Sequence, residues 1–336
     1  MLTHPIGKTV IEQAISQIDL ARFSRVIVTV LKQHVEYFQA DVWIDQIFGD
    51  FGVELCVLSE ETTSQSETLA ATIRKMQVSG AFVSKDSDGL IGAHMDSLAG
   101  ASNFVVGAYV NDFPEISNLP GKSFITLNEQ GTVVDIIEKE IVSNVVSLGC
   151  YGFESAESFC EHLDELRKGW PESGEIYPSH IISSMLGQGN CFDFVRAIQY
   201  EDYGTLADFR RVQKNYKTLF VDLDGVVFEN KGKYGSSCWD DGHEVLLDEN
   251  IDVLKALVDA GSQIIFCTAR DESCREQVEN MLWKIGVKYH SLVMGLYHAQ
   301  RVIINDFSNS NPWPSCVAVN IVRNSRNLRD YISGIE

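Results

Sequence analysis

Asp222-Leu223-Asp224-Gly225 follows the apolar run Thr218-Leu219-Phe220-Val221, and no other stretch of the chain gathers so much reactive potential. Two carboxylates at i and i+2, at the C-terminal end of a strand, point the same way. Gly225 lets the backbone turn sharply directly after them. The run Ile264-Ile265-Phe266-Cys267 ends in Thr268, and Val302-Ile303-Ile304 ends in Asn305-Asp306. Three parallel strands with these ends converge on one crevice, where open α/β sheets bind ligands. Grouped oxygen ligands suit Mg²⁺, which keeps waters and engages substrate phosphate. One carboxylate can attack phosphorus and form an aspartyl-phosphate. The other can protonate the leaving oxygen and later take a proton from water.

Over residues 216–335 these motifs resemble the haloacid dehalogenase-like (HAD) phosphohydrolases. The resemblance implies Asp222 as nucleophile, Asp224 as general acid/base and Thr268 as the residue holding the transferring phosphoryl group. It implies that Asp306 completes the Mg²⁺ site with Asp222 and the main-chain carbonyl of Asp224. It also implies a Lys or Arg on the phosphate, for which Arg301 is the candidate, with Lys284 or Lys288 behind it. Gly225 and Arg270 are the expected substrate contacts of this site. Asn305-Asp306 stands where many relatives have two acidic residues. The short polar gap at 229–243, and the single helix and strand between Thr268 and Asp306, leave no room for a lid domain, so the capless subtype is implied.

The N-terminal region carries a more dispersed pattern. Ser84-Lys85-Asp86-Ser87-Asp88-Gly89, Glu138-Lys139 and Gly149-Cys150-Tyr151 each follow or end an apolar run, and Glu201-Asp202-Tyr203-Gly204-Thr205 opens a helix. This order resembles sugar-phosphate nucleotidyltransferases. By that resemblance Asp88 and Asp202 are candidates for a second, weaker metal site, with Lys139 and Gly149 near a sugar. Those enzymes open with a strand and a Gly-rich loop that cradles nucleotide phosphates through backbone N–H groups. The sequence here starts at what looks like the segment after that loop, so the domain is expected to be a degenerate one that binds without transferring.

Short apolar runs alternating with amphipathic segments must position these groups, and they imply α/β architecture. Two Rossmann-like domains are expected, each a mostly parallel sheet flanked by helices: 1–215, nucleotidyltransferase-like, and 216–336, HAD-like. Strands are predicted at 25–31, 53–58, 81–84, 103–110, 145–153, 192–199, 218–221, 263–267, 302–304 and 317–320, with a hairpin at 123–138. Helices are predicted at 35–51, 67–78, 155–168, 178–186, 205–215, 251–260 and 272–285.

The chain has 336 residues and a formal net charge of -20, which sets nucleic acid and anionic membranes aside as partners. From Tyr216 onward there are 12 basic and 17 acidic residues, against 15 and 30 before it, so the second domain repels phosphate less. The eight cysteines show no Cys-x-x-Cys pair and read as thiols of a reducing, cytoplasmic compartment. No signal peptide, apolar stretch long enough to span a bilayer, His-x-x-x-His or Gly-x-Ser-x-Gly element is present. The expected activity is Mg²⁺-dependent hydrolysis of a phosphomonoester, a sugar phosphate or related intermediate of capsule or surface polysaccharide synthesis, in a possible homo-oligomer. The alternative is nucleotidyl transfer, or non-catalytic binding of a nucleotide sugar.

Overall fold

All nine residues of Val145–Phe153 are buried, as expected of a largely apolar strand covered on both faces. The first unit is built around it. The computed structural model describes residues 3–98, 102–113, 116, 118–232, 244–309 and 314–333. The chain forms two compact units, Met1–Phe209 and Arg210–Glu336, whereas the expected division at 215/216 falls at the end of the helix Leu206–Asn215.

The first unit holds strands β1 (Ile27–Leu31), β2 (Glu54–Leu58), β3 (Phe82–Lys85), β4 (Gly89–Gly92) and β5 (Phe104–Tyr109). They are followed by β6 (Ser123–Leu127), β7 (Thr132–Glu138), β8 (Val145–Phe153), β9 (Phe192–Arg196) and β10 (Gln199–Asp202). Six of them form one sheet in the order β3-β8-β5-β9-β7-β6. This sheet is mixed and not mostly parallel as expected. Only β5–β9 is a parallel pair, because β6–β7 is a hairpin and β8 returns antiparallel to both β3 and β5. The helices Gln65–Met76, Ala156–Gly169 and Pro178–Gly187 cover one face, around Phe153, Phe159, Ile181 and Phe192. Ser155 caps the second of these, its Oγ accepting from the Ser158 N–H at 3.1 Å. β1 and β2 form a separate parallel pair. The single helix expected over 35–51 is two, Lys32–Phe38 and Ala40–Phe48, divided at Gln39 with φ +52°.

β4 and β10 were hidden in the sequence, since Gly89-Leu90-Ile91-Gly92 is too short and glycine-flanked to show an alternating pattern. They form an antiparallel pair that sets Gly89 opposite Asp202. That register brings together two segments more than a hundred positions apart.

The second unit carries β11 (Thr218–Asp222), β12 (Gln263–Cys267) and β13 (Ser291–Val293), all parallel, in that order. The helices Asp248–Asp259 and Arg275–Ile285 pack on them through Ile251, Leu254, Val278 and Leu282. The strands expected at 302–304 and 317–320 are absent among the described residues. Val302 is 74 % and Ile304 93 % exposed. A β-branched triplet becomes a strand only where a sheet edge receives it, and the edge of β12 is taken by Ser291–Val293. Most of the gap expected to make this unit capless, residues 233–243, lies outside the described residues.

Candidate functional site

In the first unit the β4–β10 pairing continues into the Tyr203 N–H, which donates to the Asp88 carbonyl at 2.8 Å. Asp88 and Asp202, predicted as a pair, are thereby brought together. A Cβ placed on Gly204 would stand 3.0 Å from Asp88 Oδ2 and 3.2 Å from Asp202 Oδ1. Both carboxylates thus border one small space, which stays open because residue 204 lacks a side chain. Asp202 accepts from Lys122 Nζ at 2.6 Å, the Tyr200 hydroxyl at 2.7 Å and the Gly204 N–H at 2.9 Å. Burial raises its pKa, but the Lys122 charge and these bonds outweigh burial and hold it below the ordinary carboxylate range. Thr205 caps the helix that follows, accepting from the Asp208 N–H at 3.1 Å.

In the sequence Lys85 and Asp86 stand only as part of a motif, without a role, and Lys122 is not singled out at all. Lys85 Nζ donates to the carbonyls of Asp86 and Gly89, each at 2.6 Å, and so fixes the turn that presents Asp88. Asp86 lies with its carboxyl against Gly149 and bonded to Gln65 Nε2. Burial first, and then the Asp88 charge, push its pKa up to about 7. Gly149, expected near a sugar, has φ +79° and leaves room for the Asp86 carboxyl. Lys139, with the same expectation, adopts φ +57° and lies over the Tyr177 ring at 4.1 Å, bonded to its hydroxyl. The segments around Asp88, Lys139, Gly149 and Asp202 all stand out in the sequence. Lys122 has no neighbouring signal, because its role depends on the sheet bringing it to residue 202.

Two carboxylates on one open space suit a hard cation that fills its shell with water and phosphate oxygens, so Asp88 and Asp202 are the residues that would hold Mg²⁺ in this unit.

In the second unit β11 and β12 bring Asp222 alongside Cys267, and Thr268 follows at the same end of the sheet. Asp222 is 38 % exposed in its side chain and meets Arg301 at 3.2 Å. Burial raises its pKa, and the Asp224 charge adds to the rise against the pull of Arg301. Asp224 is almost enclosed. It accepts from Thr268 Oγ1 at 3.1 Å and from Arg270 at 2.7 Å. Arg270, expected to contact substrate, is 2 % exposed and divides its donors between Asp224 and Glu244, the latter at 2.8 Å. It sets the Asp224 carboxyl in place. An open cavity is lined by Asp222, Asp224, Gly225, Arg301 and Arg323, with Tyr297 and His298 on its wall.

The loop after Asp224 is tied from a distance. Asn324, at φ +62°, donates its N–H to the Gly225 carbonyl at 3.0 Å, and its side chain exchanges two bonds with the Asn230 backbone. Fully buried Asn250 donates to the Val226 and Ser325 carbonyls and accepts from the Leu328 N–H.

The resemblance implied an Mg²⁺ set of Asp222, the main-chain carbonyl of Asp224 and Asp306. Asp306 lies on an exposed stretch outside any strand, and each of the other two carboxylates is held by an arginine. Among the described residues no three acidic, His or Cys side chains group as a metal site. No described helix is long and apolar enough to cross a membrane.

No protein-family model matches the sequence, and no curated protein matches it. Among solved structures the chain is similar to a nucleoside-diphosphate-sugar pyrophosphorylase from Vibrio cholerae RC9, with TM-score 0.52, 18 % identity, and coverage of 64 % of this chain and 90 % of that one. It also matches an apo UDP-glucose pyrophosphorylase (TM-score 0.46, 13 % identity, 62 % and 87 % coverage). A third match is the inositol-1-phosphate CTP transferase of T. maritima (0.45, 14 %, 62 % and 83 %). The first similarity shows that the N-terminal part of the chain has a sugar-phosphate nucleotidyltransferase-like fold.

Proposed function

We propose that the chain handles a sugar phosphate, recognised in the first unit by Asp88, Asp202 and Lys122. The observation that carries this reading is the convergence of Asp88 and Asp202 on the space left by Gly204, with Lys122 on Asp202. The substrate class follows the Vibrio cholerae protein of the same fold, a nucleoside-diphosphate-sugar pyrophosphorylase. Lys122 supplies the charge for a phosphate oxygen, and the two carboxylates accept sugar hydroxyls or hold the cation that accompanies the phosphate. Calorimetric titration of glucose 1-phosphate and UDP-glucose with Mg²⁺ into the full chain tests the reading. Saturable heat that disappears in Asp202→Asn supports it, and no binding of either ligand overturns it. Pyrophosphate release from a nucleoside triphosphate and a sugar phosphate would make the unit a nucleotidyltransferase; binding without release would make it a nucleotide-sugar binder.

A second reading is favoured by the pairing of Asp222 with Arg301 in the cavity of the other unit. There Asp222 would attack the phosphorus of a phosphomonoester. The bond from phosphorus to the leaving oxygen breaks, that oxygen takes a proton from Asp224, and Arg301 turns to the phosphoryl oxygens. Water then gives a proton to Asp224 and attacks phosphorus, the bond from phosphorus to Asp222 breaks, and phosphate leaves with both carboxyl groups restored. Phosphate release across a phosphomonoester panel, lost in Asp222→Asn, supports this hydrolysis. Release that persists in the variant overturns it.

A further inference from the structure

Three carboxylates and three guanidinium groups stand around the second-unit cavity, and one of the six makes no ion pair among the described residues. Asp222 is met by Arg301 at 3.2 Å, and Asp224 and Glu244 share Arg270. Arg323 also lines the cavity. It is exposed, and neither an ion pair nor a hydrogen bond engages its guanidinium among the described residues.

Its position is nevertheless fixed. The stem lies on Gly225, where a Cβ would come within 3.2 Å of Arg323 Cγ. The next residue, Asn324, is bonded through its N–H to the Gly225 carbonyl and through its side chain to both sides of the Asn230 peptide. One position further, the Ser325 carbonyl accepts from Asn250 at 2.8 Å. An exposed arginine whose backbone is locked to the loop carrying Asp222 and Asp224 is preorganised to receive an anion at that loop.

Asp222 and Arg301 already form the place for the reacting phosphoryl group. Arg323 lies against Gly225 of the same loop and lines the same cavity. We propose that Arg323 is a specificity-determining residue, which binds a second anionic group, carboxylate or phosphate, of a phosphomonoester whose reacting phosphoryl lies at Asp222. The proposal rests on the second reading above for what happens at Asp222, and concerns what the rest of the substrate must carry.

The test uses the full chain and three probes on one aromatic frame, which keeps sugar recognition by the first unit out of the measurement. Phenyl phosphate has one anionic group, 4-carboxyphenyl phosphate adds a carboxylate, and benzene-1,4-diyl bisphosphate adds a second phosphate. Affinities are read by calorimetry, and KM and kcat by phosphate release. At least one doubly anionic probe is expected to bind about tenfold tighter than phenyl phosphate, the effect of one charge-assisted contact, and the two probes distinguish carboxylate from phosphate. That ratio is expected to fall to about one in Arg323→Gln and to recover in part in Arg323→Lys, with the change in KM and not in kcat. The proposal is overturned if the native chain shows no preference, if the preference survives Arg323→Gln, or if the variant weakens all three probes equally. The last outcome would place Arg323 on the reacting phosphoryl group. Preference in binding without phosphate release from any probe would refute hydrolysis while leaving the anion site standing.

Discussion

Replacing Asp86 by Asn asks how much the fold gives up to keep a carboxyl against Gly149. The group lies half-buried beside Asp88, with Lys85 and Gln65 only partly compensating, and its pKa is pushed up to about 7. An acid whose pKa is higher in the folded than in the unfolded chain binds protons preferentially in the fold. Its contribution is therefore most favourable below the ordinary pKa of 3.8, declines as pH rises, and is flat above about pH 7. At about 1.4 kcal/mol per pH unit, the loss across that window approaches about 4 kcal/mol, and water reaching the half-buried carboxyl reduces it to about 2–4 kcal/mol. Asn keeps the shape and the acceptor for Gln65 but cannot ionise. The variant is expected to match the native chain near pH 4 and to exceed it by about 2–4 kcal/mol above pH 7. Denaturant-dependent hydrogen exchange of β5 and β8 amides, followed by mass spectrometry between about pH 4 and pH 8.5, reads the first unit alone. A constant difference across that range, or a variant that loses ground as pH rises, would refute the argument.

Three further outcomes are expected. Lys122→Met removes the main group holding Asp202 below the ordinary range. Stability from that carboxylate is present above its unfolded pKa and is lost as pH falls through the folded value, so the variant should lose about 2 kcal/mol at neutral pH and begin acid unfolding at a higher pH in urea titrations. Gly149→Ala forces φ +79° on a residue with a Cβ and drives that Cβ into the Asp86 carboxyl. It should cost about 2–4 kcal/mol by denaturant midpoint, and Asp86→Ala in the same chain should restore the part due to collision. Asn250→Ala removes three buried hydrogen bonds and should cost about 3 kcal/mol or more, measured as protection of β11 and β12 amides.

What the sequence made legible followed from local chemistry. Asp222, Asp224 and Thr268 sit at strand ends because apolar runs of four or five residues with β-branched or aromatic side chains define β11 and β12 unambiguously. Asp88 and Asp202 were paired through the resemblance to sugar-phosphate nucleotidyltransferases, since one lies in a turn before Gly89 and the other ends β10. What stayed hidden depends on partners distant in sequence. The strand direction in the main sheet differs from the expected one because β8, largely apolar and buried throughout, reads alike in parallel and antiparallel surroundings. Ser291–Val293 has less strand character than Val302–Ile304, yet it pairs with β12 because the chain leaving the helix Arg275–Ile285 reaches that edge first. Lys122 and Arg323 have no motif. One is recognised by its bond to Asp202, the other by making no ion pair among the described residues.

The bonds from Asn324 and Asn250 to the Asp loop also have a consequence in time. Residues 225–230 are completed by residues 324–328, and the Asn230–Asn324 link alone spans 94 positions. At about 5–20 residues per second, a growing chain would carry Asp222 and Asp224 past the point of synthesis for roughly 5–20 s before their loop could be closed. Prematurely terminated products would contain both carboxylates but not the groups that orient the loop around them. The cavity is thus assembled late, and its formation reports that translation has proceeded through that segment.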